Sequence, residues 1–233
     1  TTTDFARRVR LGGNAMLRTQ DIGSQWVDFE YERGVFDWNY LDRIIKPVAE
    51  SGVETMFVLG GSAFMAWDDP KKDGRRRDWY VRRNSREARV HGFARWGAKS
   101  RIPSDADWIE HLTGIYAHYK GIVNWYEAIN EPNLQLADPD DYTDILKLSY
   151  RTLKGLDPKL KVVGICATGD FGGQIGAYVE AIGRAGGFQH LDYMSFHPYD
   201  AAVDGLKVSA ERQLDGITAL CEKFRPGVPR IQD

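Results

Sequence analysis

The sequence has few cysteines and no long apolar run, and both facts limit the classes of protein to which it can belong. Two cysteines among 233 residues, Cys166 and Cys221, cannot form a disulfide framework and do not have the spacing of a metal site. No run of about 18 apolar residues occurs, so we expect no membrane span. The net charge of −2 by itself indicates neither a nucleic-acid nor a membrane partner. Apolar and charged residues, at 42% and 27%, are typical of a globular protein.

The first residues contain neither a Met nor the apolar core of a signal peptide. We therefore interpret Thr1 as a terminus that was processed, trimmed or cut from a longer gene product. The cysteine count is compatible with a bacterial cytoplasm, a periplasm or secretion, of which we favour the last two. The length of 233 residues suits one domain, at about 100–200 residues per domain.

Short β-branched and apolar runs alternate with helical patterns along the chain, which predicts a parallel sheet covered by helices. Two architectures fit, a doubly wound sheet and a (β/α)8 TIM barrel. A nucleotide-binding doubly wound sheet would carry a glycine fingerprint after its first strand, and none is present. The predicted strands are Ala15–Arg18, Thr55–Leu59, Ile122–Ile129, Lys161–Cys166, Leu191–His197 and Val228–Gln232.

Helix ends are also marked in the sequence. Asp37 is predicted to cap the first long helix, and Gly52 stands where a helix-ending glycine belongs. Pro47 lies inside that helical pattern and should kink it. Ser104 and Asp107 form a capping box at the start of the next helix.

The third predicted strand ends in Asn-Glu-Pro-Asn, residues 130–133. In a barrel, the carboxyl ends of the strands build the active site. Glu131 would project from the rim, where apolar walls would raise its pKa and let it protonate a glycosidic oxygen. Asn130 could hydrogen-bond a sugar 2-hydroxyl. The alternative is that Glu131 begins an ordinary turn between a strand and a helix.

The fifth predicted strand ends in Ser-Phe-His-Pro-Tyr, residues 195–199, which places His197 at the rim and Tyr199 just beyond it. The alternative for His197 is a satisfied core histidine. His111 and His118 lie seven residues apart on one helix, too far for a shared ion, and we expect both on the surface. We therefore predict neither a metal nor another cofactor.

Together these motifs resemble clan A retaining glycoside hydrolases, most of all glycoside hydrolase family 39, with family 5 next. The stretch Trp26–Asp42, with its Glu-x-Gly-x-Phe-Asp-Trp core at Glu32–Trp38, shares the resemblance. The similarity extends from Ala15 to Asp233. It implies a TIM barrel that hydrolyses O-glycosidic bonds of an oligo- or polysaccharide by a retaining double displacement.

The resemblance also implies roles for individual residues. Glu131 matches the family's general acid/base on the fourth barrel strand, and Asn130 matches the asparagine beside it. Arg18 matches the arginine that ends the second barrel strand, supports the nucleophile and lies in the substrate-binding part of the site. His197 matches the histidine of the sixth barrel strand and, like Tyr199, is expected to bind substrate.

The second catalytic carboxylate of the family follows its seventh barrel strand. That strand matches Val228–Gln232, so the nucleophilic glutamate is expected just beyond Asp233. The first barrel strand has no match either. We therefore expect residues 1–233 to be a single catalytic barrel domain truncated at both ends.

The segment Trp67–Ser104 carries twelve Lys or Arg against five Asp or Glu, whereas the rest of the chain has an excess of acid. Trp67 and other aromatic residues are interleaved with these charges, which makes Trp67 a candidate substrate-binding residue. The segment is either a solvated loop that pairs with the acidic remainder, a cleft wall for an anionic glycan, or a surface for single-stranded nucleic acid. The last is disfavoured, because no nucleic-acid fold signature accompanies it.

Two alternatives to a glycosidase stay open. One is a non-catalytic glycan-binding barrel that has lost its nucleophile. The other is a different barrel enzyme acting on phosphorylated substrates, which would need a phosphate site near the last two strand-to-helix loops. The oligomeric state is not predicted.

Overall fold

The computed structural model describes residues 2–13, 16–20, 22–60, 103–135, 138–169, 174–197, 202–203, 206–207 and 210–232. Its contacts group the chain into two units, Thr1–Tyr126 and Glu127–Asp233. Trp67, Tyr199 and nearly all of the basic segment 67–104 lie outside the described residues.

The described elements alternate between strands and helices, as the sequence predicts. The helices are α1 (Thr2–Leu11), α2 (Trp26–Phe29), α3 (Asn39–Glu50), α4 (Asp105–Tyr119), α5 (Pro132–Gln135), α6 (Pro139–Leu156), α7 (Gln174–Arg184) and α8 (Ala210–Phe224), with a 3-10 turn at Gly187–His190. The strands are β1 (Met16–Arg18), β2 (Glu30–Glu32), β3 (Val35–Phe36), β4 (Glu54–Gly60), β5 (Trp125–Ile129), β6 (Lys161–Thr168), β7 (Tyr193–His197), β8 (Ala202–Val203), β9 (Leu206–Lys207) and β10 (Arg230–Gln232).

Six strands form one parallel sheet in the order β1-β4-β5-β6-β7-β10. They correspond one to one to the six predicted strands, so the α/β class and the parallel sheet are confirmed. Two antiparallel pairs, β2–β3 and β8–β9, are additional hairpins that the sequence did not predict. The pair β8–β9 precedes α8, which begins at Ala210.

The third predicted strand begins later than expected because the preceding helix ends in an extra turn. The N–H groups of Ile122 and Val123 both donate to the carbonyl of Tyr119, at 2.9 and 3.0 Å. Gly121 adopts the left-handed φ of 77° that this turn requires. The strand therefore starts at Trp125 instead of Ile122.

The N-terminal end of α3 differs by one residue from the prediction. Trp38 occupies the N-cap position assigned to Asp37, although the Asp37 carboxylate still accepts a hydrogen bond from the N–H of Asn39 at 3.0 Å. The helix continues through Pro47, and Gly52 follows its end with the expected left-handed φ of 82°. The cap at Ser104 is confirmed, since its hydroxyl accepts from the N–H of Asp107 at 3.2 Å.

The prediction that His111 lies on the surface is wrong. Its side chain is fully buried in the first unit, and its ring stacks on Trp26 at 4.0 Å. Nδ1 lies 2.7 Å from the buried carboxylate of Glu30, and Nε2 lies 3.2 Å from the carbonyl of Leu59. His111 shares the buried face of α4 with Trp108 and its neighbours at helical spacing. Its partners are remote in sequence, so the helix alone did not show them.

His118 is partly buried, with a side chain that is 25% exposed. Its ring stacks on Trp38 at 4.3 Å, and its Nε2 lies 2.8 Å from Asp42. The surface assignment of His118 was therefore only partly right.

Within the described residues, none of the helices combines the length and the apolar character needed to cross a membrane.

In the second unit, β6 and β7 are almost fully buried. Gly164 on β6 allows close packing, because a Cβ there would lie 2.9 Å from a methyl group of Leu146 on α6. At the carboxyl ends of β6 and β7 the burial pattern continues, but the side chains become polar: Thr168 and His197 are paired across the two strands. Polar groups therefore gather where a barrel enzyme would place its site.

Candidate active site

The chain turns sharply where β5 ends, and Glu131 is at the turn. Asn130 directly follows the strand and is 9% exposed. Glu131 has a φ of 47°, in the left-handed region that residues with a Cβ seldom adopt. Its N–H donates to the carbonyl of Cys166 at 3.1 Å, and its carbonyl accepts from the N–H of Leu134 at 3.0 Å. Two main-chain hydrogen bonds thus hold an unfavourable backbone conformation in place.

Asn133 attaches this turn to the end of β6. Its side-chain amide donates to the carbonyl of Thr168 at 2.9 Å and accepts from the N–H of Thr168 at 3.0 Å. The side chain thereby satisfies both polar groups of one backbone residue. The motif residue Asn133, for which the sequence suggested no role, therefore helps to orient Glu131.

The carboxylate of Glu131 is hydrogen-bonded to His197. Oε1 of Glu131 lies 2.8 Å from Nδ1 of His197, the last residue of β7. The side chain of His197 is 5% exposed and that of Glu131 is 21% exposed. A carboxyl group that is held by a buried imidazole on one oxygen and is still reached by solvent can exchange a proton with a bound molecule.

A β-bulge in β6 lies beside Glu131. Ile165 pairs with Ser195 and Ala167 pairs with Phe196, so Cys166 is the extra residue. Ile165 and Cys166 have φ values of 78° and 43°, which is unusual for any L-residue and most of all for a β-branched one.

Tyr142 on α6 supports the bulge from its buried side. Its phenol oxygen accepts a hydrogen bond from the N–H of Ile165 at 2.5 Å. Burial raises the pKa of Tyr142 well above its ordinary value, so the phenol stays protonated. The strained strand segment therefore has a fixed, neutral hydrogen-bond partner in the core.

Cys166 closes a ring of hydrogen bonds with Glu131 and His197. Its Sγ lies 3.3 Å from Nε2 of His197, and its carbonyl accepts the N–H of Glu131. Each of the three residues therefore contacts the other two. Sequence reasoning missed Cys166, because nothing in the run Gly164–Ala167 shows that the strand bulges there.

The remaining predicted site residues are placed as follows. Asn130 adjoins Glu131 and is almost fully buried. Arg18 is the last residue of β1, in the first unit, and is partly buried. Trp67 and Tyr199 fall outside the described residues. Among the residues that are described, no cluster of three or more His, Cys, Asp or Glu could hold a metal ion.

The chain is similar to glycoside hydrolases in sequence and in structure. It is 27% identical over 143 residues to the β-galactosidase BglY of Alicyclobacillus acidocaldarius, which covers 57% of this chain and 19% of that protein. No family model matches the chain.

Two solved structures illustrate the likeness in fold. The family 39 enzyme from Xanthomonas axonopodis pv. citri superimposes with a TM-score of 0.62 at 20% identity, over 100% of this chain and 47% of that one. The family 39 β-xylosidase from Caulobacter crescentus gives 0.61 at 18% identity, over 99% and 48%. The chain thus spans about half the length of these structural relatives. The predicted resemblance is confirmed, and the fold is that of a TIM barrel, present here in part.

Proposed function

We propose that this chain carries the acid/base part of a retaining glycoside hydrolase that cleaves O-glycosidic bonds of an oligo- or polysaccharide. The observation that supports the proposal is the 2.8 Å contact between Glu131 Oε1 and His197 Nδ1. It joins the two residues that the motifs single out, at the carboxyl ends of β5 and β7, where barrel enzymes build their sites. The β-galactosidase and the two family 39 enzymes named above, which are glycoside hydrolases, agree with it.

Glu131 first acts as an acid. In its protonated form it gives a proton to the glycosidic oxygen as the bond to the anomeric carbon breaks, so that the leaving sugar departs as a neutral alcohol. The 21% exposure of its side chain lets a bound sugar reach the carboxyl group. The ring of His197, through its contact with Oε1, holds the carboxyl group in place throughout the step.

Glu131 then acts as a base. In a retaining mechanism the first step leaves a glycosyl group on a second carboxylate, and water must hydrolyse that ester. The ionised Glu131 takes a proton from this water and returns to its starting form. The second carboxylate should lie about 5–5.5 Å from Glu131, and the family resemblance expects it just after Asp233.

The test is Glu131→Gln in the full-length gene product, with Glu180→Gln as a matched control. Glu180 lies on α7, where it is paired with Arg184 and Lys223, so the control makes the same chemical change away from the site. On substrates with a poor leaving group we expect kcat/KM to fall by about 10²–10⁴ in the Glu131 variant only. On dinitrophenyl glycosides, which need no protonation, the loss should be much smaller.

The opposite result would remove Glu131 from the mechanism. Equal losses on both substrate types, or unchanged hydrolysis, would mean that Glu131 is not the acid. A full-length protein that binds glycans and hydrolyses none would be a glycan-binding barrel instead. Trapping with a 2-fluoro glycoside, followed by peptide mapping, would identify the nucleophile of the retaining mechanism.

A further inference from the structure

We propose that Cys166 is a positioning residue whose thiol fixes the tautomer of His197 and so keeps an N–H directed at Glu131. The proposal rests on the proposed role of Glu131 as the acid/base. It concerns a residue for which neither the sequence motifs nor the family resemblance suggests a role.

The geometry of His197 carries the argument. Nδ1 faces Oε1 of Glu131 at 2.8 Å, and Nε2 faces Sγ of Cys166 at 3.3 Å. A neutral imidazole carries one proton, so one nitrogen donates and the other accepts. With the thiol as donor, Nε2 accepts and Nδ1 must carry the proton that is donated to Glu131. His197 is 4% exposed, so water competes little for either nitrogen.

This tautomer suits both protonation states of Glu131. An N–H at Nδ1 can donate to Oε1 whether the carboxyl group is ionised or protonated on its other oxygen. In the opposite tautomer, Nδ1 would be an acceptor and could bind only the proton of the acid itself. That proton would then be directed at His197 and withheld from the glycosidic oxygen, and the hydrogen bond would be lost once Glu131 ionised.

The fold places the thiol where this role requires it. Cys166 is the extra residue of the bulge in β6, and a bulge can redirect a side chain toward a neighbouring site. Its position is fixed by its carbonyl, which accepts the N–H of Glu131. The preceding residue, Ile165, is fixed by the phenol of Tyr142. Cys166 is fully buried, which excludes it as a nucleophile toward a bound glycan.

The experiment compares Cys166→Ala and Cys166→Ser in the full-length gene product, with Cys221→Ala as the control. Cys221 is also buried, on α8, and contacts Met194 instead of the site. The first readout is the ¹⁵N NMR spectrum of the His197 imidazole, assigned with His197→Gln. The second is the pH dependence of kcat/KM on glycosides with poor and with activated leaving groups.

We expect wild-type His197 to show a protonated Nδ1 and an unprotonated Nε2. Cys166→Ala should mix the tautomers and lower kcat/KM about tenfold on poor leaving groups, with little change on activated ones. Cys166→Ser keeps a donor and should restore part of the loss. Cys221→Ala should change neither readout.

A protonated Nε2 or a doubly protonated ring in the wild type would overturn the proposal. So would a Cys166→Ala variant that unfolds at a lower temperature but keeps the wild-type spectrum and pH profile. The NMR readout on the wild type stands even where a variant fails to fold. It also separates the two proposals, because the tautomer is observed whether or not Glu131→Gln proves Glu131 to be the acid.

Discussion

The side-chain amide of Asn133 forms two hydrogen bonds with the backbone of Thr168, one to its carbonyl at 2.9 Å and one from its N–H at 3.0 Å. Thr168 ends β6 and pairs with His197 on β7, while Asn133 lies two residues after Glu131. The turn that carries the acid is therefore attached to the strand that pairs with its histidine partner. The strained φ of Glu131 depends on such attachments, because nothing in its own side chain favours that backbone conformation.

Replacing Asn133 by Ala should loosen the turn. Two hydrogen bonds are lost and two backbone groups of Thr168 lose their partner, so we expect the free energy of unfolding to fall by about 1–3 kcal/mol. Hydrolysis of glycosides with poor leaving groups should fall as well, because the carboxyl group is no longer held in one position. Urea unfolding and kcat/KM measure the two effects. Asn124→Ala, at an exposed position before β5, is the control and should change neither.

The sequence allowed the strand ends and their chemistry to be predicted, because these depend on local signals. The six strands are short apolar runs bounded by turn residues, and Glu131 and His197 each precede a proline at the end of such a run. The structure places the two residues in contact. That contact follows from the parallel arrangement, in which the carboxyl ends of all strands meet at one edge.

The partners of these residues could not be predicted, because they depend on contacts that are remote in sequence. Cys166 reaches His197 only because β6 bulges, and a bulge leaves no mark in a run of apolar residues. The buried state of His111 depends on Glu30, which lies 81 residues away. In both cases the sequence pattern predicted the correct strand or helix. It did not predict the polar contact that the side chain makes with a residue remote in sequence.

Tyr142→Phe should lower the free energy of unfolding of the second unit by more than the loss of one oxygen atom would suggest. The substitution removes only the phenol oxygen, but this oxygen accepts the buried N–H of Ile165 at the bulge. A buried N–H that loses its partner costs about 1–3 kcal/mol of the free energy of unfolding. Tyr150→Phe, on the same helix but partly exposed, is the matched control. Equal effects of the two variants in urea unfolding would contradict a special role for the Tyr142 hydroxyl group.

The buried pair of Glu30 and His111 should be strongly coupled. Both side chains are fully buried, and the two ring nitrogens of His111 face the carboxyl group of Glu30 and the carbonyl of Leu59. His111→Phe leaves the carboxylate of Glu30 buried without the imidazole, which should cost about 3–5 kcal/mol of the free energy of unfolding. A double-mutant cycle with Glu30→Gln measures the coupling. Strictly additive effects would show that the two side chains do not interact.

Asp42 should make stability depend on acid pH. Burial opposes its ionisation, but hydrogen bonds from Lys46 at 2.7 Å and His118 at 2.8 Å outweigh burial and hold the pKa of Asp42 below its ordinary value of 3.8. A carboxyl group whose pKa is lower in the folded chain stabilises it fully well above pH 3.8. That stabilisation is lost as the pH falls through the folded pKa, because the folded chain must then bind the proton it had excluded.

Asp42→Asn should therefore lower the free energy of unfolding by about 1 kcal/mol at pH 7. The loss should be smaller at pH 3, which lies below the ordinary pKa of 3.8, because the unfolded chain has then largely bound the proton. Asp144→Asn is the control, because the side chain of Asp144 is 82% exposed and its carboxylate lies as far as 4.0 Å from the ammonium group of Lys147. It should change the free energy of unfolding by less than about 0.5 kcal/mol at either pH. Urea titrations at both pH values test this. A cost of Asp42→Asn that is the same at pH 3 as at pH 7 would show that ionisation of Asp42 does not stabilise the fold, and that the side chain acts through packing alone.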